Sequence, residues 1–126
     1  MPPTQVRVGL NAVILAVTND EPRVMTVPWS PESKAVAADP GAATVALPFG
    51  DLDADGDRTL ELCLRRWVRQ QTGLELGYVE QLYSFGDLVR DPQKTDVGVR
   101  VLSIAYLALV REEAIPVEIS ANWRNV

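Results

Sequence analysis

The chain has 126 residues, 47% hydrophobic and 23% charged, which is the length of one domain and the composition of a chain that buries a core without disulfides or a structural metal. One cysteine and no histidine exclude, within a single chain, disulfide frameworks, Cys/His zinc sites and nucleophile–histidine catalytic pairs, so any chemistry must come from carboxylates, arginines or a bound metal. Twelve Lys and Arg against 17 Asp and Glu give a net charge of −5, opposite in sign to the footprint of a domain that grips nucleic acid.

The first residues, MPPTQVRVGL, lack a charged segment followed by an apolar one, and no apolar run reaches membrane-spanning length; a cytoplasmic location is expected. Residues 6–17 (VRVGLNAVILAV) begin with alternation at Val6, Val8 and Leu10 and turn continuously apolar from Ala12. That pattern predicts a long strand entering a sheet covered on both faces. Residues 18–22 carry turn chemistry, and residues 23–27 read as the returning strand of a hairpin, ended by Pro28. Residues 29–42 combine Pro, Gly and small side chains without a period and predict a surface loop. Trp29 in that loop either stacks on an aromatic ligand or packs on its own sheet.

A short strand is expected from Thr44 to Leu47, then the acidic loop 51–57 (DLDADGD), with Asp57 as N-cap of a helix. Leu60, Cys63, Leu64, Trp67 and Val68 fall at helical spacing within residues 58–72, and Gly73 supplies the left-handed stop. Cys63 reads as a small buried hydrophobe, and Glu61 with Arg65 as a surface pair. Residues 74–85 and 97–110 are strand-like and joined by a polar loop, 86–96. Residues 114–126 have no clear period and are expected to be a tail or the start of a further region, which places the domain at 1–113. Strands, one helix and strands again, without internal repeats, make an α+β domain.

Residues 47–74 (LPFGDLDADGDRTLELCLRRWVRQQTGL) resemble the Nudix box, a glycine, five residues, Glu, seven residues, then Arg-Glu-apolar-x-Glu-Glu-x-Gly-apolar. Gly73 and Leu74 match its last pair, Val68 its apolar position and Arg66 its arginine. Arg58, Trp67, Gln70 and Gln71 stand where the family has glutamates, and Gly50 lies two residues too far upstream for the box glycine, although Leu47, Pro48 and Gly50 match the usual entry. In the family these carboxylates share one side of the helix and converge on divalent cations bridging a diphosphate. Here the local formal charge moves from about −4 to about +1, which removes the ligands of a metal-assisted hydrolase.

Downstream, Tyr83, Phe85, Gly86 and Asp87, followed by Arg90 and Asp91, resemble the bacterial Nudix-related transcriptional regulators of NAD metabolism, and the likeness runs over residues 6–110. The resemblance implies an α/β/α-type Nudix fold, a mixed sheet with the box helix on one face and a second covering helix that is expected to be missing here. It also implies a domain that senses ADP-ribose or a related NAD metabolite without hydrolysing it, uses no cofactor, and leaves DNA binding to another region. Phe49, Tyr83 and Phe85 are then candidates for the base or ribose and Arg58, Arg66 and Arg90 for phosphate, with Gly50, Gln70 and Gln71 completing the ligand-binding set. Arg66 has an equally good reading as a brace for the box loop.

Three alternatives remain. Asp51, Asp53, Asp55 and Gly56 match the opening of a calcium-binding EF-hand loop, but Glu61 falls one residue before the position of its last ligand, which is Leu62; a solvated loop is the plainer reading. The same aspartates could serve a magnesium-dependent hydrolase with relocated carboxylates. An uncovered sheet face would instead favour a homodimer.

Overall fold

A computed structural model of the chain describes residues 5–18, 20–30, 35–36, 44–86, 99–111 and 123–125. In chain order the elements are β1 (Gln5–Thr18), β2 (Glu21–Met25), β3 (Val27–Ser30), β4 (Ala35–Val36), β5 (Val45–Ala46), β6 (Phe49–Asp51), α1 (Leu60–Thr72), β7 (Val79–Phe85), β8 (Val99–Leu109) and β9 (Trp123–Asn125).

The main sheet runs β7-β8-β1-β2-β9 and is mixed. β8 lies parallel to β1 from Gln5↔Val99 to Leu15↔Leu109, whereas β2 and β6 both pair antiparallel along the other edge of β1. β3 joins β4 and β5 in a small second sheet. Alternation decides which face of β1 is covered: Leu10, Ala12, Ile14 and Ala16 are buried, while Asn11, Val13 and Leu15 are half-buried. The buried row and its β8 partners Ile104, Tyr106 and Ala108 form one core with Cys63, Leu64 and Val68 of α1, so α1 lies over that face. It is the one helix among the described residues.

Several local expectations are revised. The break after β2 falls at Thr26, and Pro28 sits inside β3 opposite Val45, paired there on one side, where a missing N–H is tolerated. Trp29 is half-buried opposite Val36, so part of the expected loop is strand. The strand expected from residue 74 starts at Val79. Leu74 and Leu76 are buried, but Arg65 donates to the carbonyls of Leu76 and Gly77, which occupies groups a ladder would need. Asp57 is not the N-cap. Thr59 holds that position with extended backbone, and its Oγ1 accepts from Leu62 N at 3.0 Å. Gly73 closes the helix at φ 76°, donating to Arg69 O, and the buried Thr72 hydroxyl donates to Val68 O at 2.7 Å. Trp123, expected in a tail, pairs with Met25 and is only 4% exposed within the core.

Candidate functional site at the α1–β6 junction

β6 is a three-residue strand held to β1 by Gly9↔Asp51, Leu10↔Gly50 and Asn11↔Phe49, and extended by Ala12 N to Pro48 O and Leu52 N to Val8 O. Its remaining backbone groups meet the residues of α1 spaced four apart, Cys63, Trp67 and Gln71, which a helix stacks in one row. The Gln71 amide reads Phe49 twice, accepting from its N–H at 3.0 Å and donating to its carbonyl at 2.6 Å. Trp67 Nε1 donates to Asp51 O at 2.9 Å, and Cys63 Sγ lies 3.6 Å from the same oxygen. Gly50 is buried under the indole: a Cβ there would fall among the Trp67 ring carbons. Close approach, with no need for unusual backbone, explains the glycine.

Arg66 leaves α1 one step from that row and forms a two-point pair with Asp57, Nη2 to Oδ2 at 2.9 Å and Nε to Oδ1 at 3.2 Å. Its guanidinium also stacks over Trp67, 4.7 Å from the ring centroid. Asp57 in turn accepts from Asp53 N at 2.8 Å, and its own N–H donates to Asp53 O. Asp55 N donates to Asp53 Oδ1. The hydrogen bond from Arg66, reinforced by the Asp53 backbone, holds the Asp57 carboxyl down at about 2. Burial pushes the Cys63 thiol up to about 11, the setting of an inert cysteine.

The residues do not fit a divalent cation. The former carboxylate positions offer an indole and an amide already bonded to β6, a second amide at exposed Gln70, and the cation Arg58. Asp51 is exposed and 3.8 Å from Arg7, while Asp53 and Asp57 are turned into the loop. Among the described residues no group of three or more Cys, Asp or Glu is placed to hold a metal ion.

Phe49, Gly50, Arg66 and Gln71 are therefore brought together, with Gln70 exposed on α1 and Arg58 exposed just before it. Arg66 is paired with Asp57, and Arg58 is exposed two residues before α1 begins. Tyr83 and Phe85 touch each other, with centroids 4.7 Å apart and planes tilted by 55°, but they pair with Ala105 and Ser103 and so occupy the sheet face opposite α1. Arg90 lies outside the described residues. Asp57 is the site residue misjudged from sequence, since nine positions separate it from Arg66 and no short-range spacing reveals the pair.

No family model matches the chain. It is 35% identical over 69 residues to the ADPR-responsive transcriptional repressor NtrR of Acinetobacter baylyi, a match covering 55% of this chain and 26% of the repressor. The NUDIX domain of Shewanella oneidensis NrtR complexed with ADP ribose superposes with a TM-score of 0.68 at 21% identity, over 99% of this chain and 73% of that one. NrtR of the same organism complexed with a 27mer DNA gives 0.70 at 22% identity, over 94% and 49%. The chain thus spans about a quarter of the curated relative and about half of the Shewanella NrtR chain in its DNA complex. No helix of the described residues is long and apolar enough to cross a membrane. The chain accordingly has the Nudix fold, with Arg58, Trp67, Gln70 and Gln71 at the positions of the box carboxylates, and is similar to the Acinetobacter ADPR-responsive repressor and to the NUDIX domain of Shewanella NrtR.

Proposed function

We propose that this chain is the ligand-sensing domain of a cytoplasmic transcriptional regulator of NAD metabolism, binding ADP-ribose or a related nucleotide without cleaving it and without a metal cofactor. The observation that carries this reading is the α1–β6 junction, where Trp67 and Gln71 spend their polar groups on the strand backbone instead of on a cation. Support for the ligand class comes from the ADPR-responsive repressor and from the NUDIX domain complexed with ADP ribose. In this reading Arg58 meets phosphate, Gln70 is a further contact toward the other end of α1, and Phe49 and Gly50 border the ligand. Tyr83, Phe85 and Arg90 remain candidates for contacts from outside the junction. DNA contact belongs to another part of the regulator, and the acidic charge of this chain is consistent with that division.

The test is a thermal-shift panel of ADP-ribose, NAD, NMN and ATP, paired with an assay for AMP release in magnesium or manganese. Binding to the native state alone raises the midpoint. The expected result is a rise with at least one NAD-related compound and no AMP; silence across the panel, or metal-dependent AMP release, overturns the reading.

A further inference from the structure

The short strand β9 brings arginines and unsatisfied donors together at one edge of the sheet, where it pairs with β2. Arg23 Nη2 donates to the Trp123 carbonyl at 3.3 Å, and Arg124 Nη1 donates to the same oxygen at 3.4 Å. Two guanidinium groups therefore share one neutral acceptor. The pairs Met25↔Trp123 and Arg23↔Asn125 place the Arg23 and Trp123 side chains diagonally on one face. Arg23 Nε and Trp123 Nε1 are both buried and have no hydrogen-bond partner. Trp123 itself is 4% exposed, and no described carboxylate forms an ion pair with Arg23.

Buried donors in folded proteins are almost always paired, and a guanidinium drawn out of water favours an anionic acceptor. A neutral acceptor would satisfy the two N–H groups and leave the Arg23 charge without a described counterion. An oxyanion does both. We propose that the β2–β9 edge binds an oxyanion, phosphate or carboxylate, held by the guanidinium of Arg23 and the indole N–H of Trp123.

The test uses the 126-residue chain labelled with nitrogen-15, whose three tryptophans give three indole signals. Inorganic phosphate and acetate are titrated separately, each against chloride at matched ionic strength. The Trp123 signal, assigned by its loss in Trp123→Phe, is expected to move and saturate with phosphate, acetate or both, but not with chloride, while the Trp67 signal stays in place. A response to only one of the two anions supports the site and names its class. Arg23→Gln is expected to weaken the apparent affinity about tenfold or more, the scale of one lost charge-assisted contact. Arg23→Lys keeps the charge without the Nε donor, so it separates a lost contact from a lost fold and should bind with intermediate strength. No saturable movement with either anion, or titrations of Arg23→Gln and Arg23→Lys identical to the parent, would overturn the site.

Discussion

Two residues decide the character of the box, and each makes a checkable prediction. The Asp57 carboxyl is held at about 2 against an ordinary value of 3.8, so its contribution to stability is present above the ordinary value and is lost as pH falls through the lower one. The thermal midpoint of the parent should therefore drop between about pH 4 and pH 2 more steeply than that of Asp57→Asn, which lacks this titration. Gly50 makes the second case. Alanine there would collide with Trp67, and overpacking of this kind costs about 1–3 kcal/mol. Denaturation should show that loss in Gly50→Ala and a much smaller effect of the same change in a Trp67→Ala background, the signature of one shared contact. The sequence made the replacement of the carboxylates legible residue by residue, because helical spacing fixes which positions share a side. It could not reveal what the replacements touch, since Gln71 and Phe49 are 22 positions apart and their bonds depend on how β6 docks.

At the level of elements, α1 was the most readable part of the chain, and its start was still misplaced. Asp57 and Thr59 are both good capping types, and the choice between them was tertiary: Arg66 engages Asp57 and leaves Thr59 to cap. Thr59→Ala should cost about 1 kcal/mol in chemical denaturation, the usual loss of a capping hydroxyl. An alanine at Gly73 must adopt φ 76° and should cost a similar amount, about 1 kcal/mol. The strands paired with β1 were legible by apolar content, but β6 was not, because three residues beginning after a proline carry no period. The aromatic pair Tyr83 and Phe85 was recognised as a motif, whereas its face depends on the register shift between Gln81 and Tyr83. A bulge of that kind is invisible to a pattern of period two.

For the molecule as a whole, the sheet extends further along the chain than hydropathy implies. Trp123 packs with Met25 in the core, so shortening the chain to residue 122 should lower stability by about 3–5 kcal/mol, the range for losing a buried tryptophan side chain. A midpoint unchanged by that truncation would return β9 to the status of an appendage. The Nudix fold thus surrounds a junction built on an indole and an amide, and the way Trp67 and Gln71 grip β6 constrains what can stand at either position. Glutamate at 67 alone would uncover Gly50 and take the indole donor from Asp51 O, and glutamate at 71 alone would bring a carboxylate to the Phe49 carbonyl. Each single substitution should therefore weaken the fold, and carboxylates can be placed at these positions only by changes that also re-seat β6.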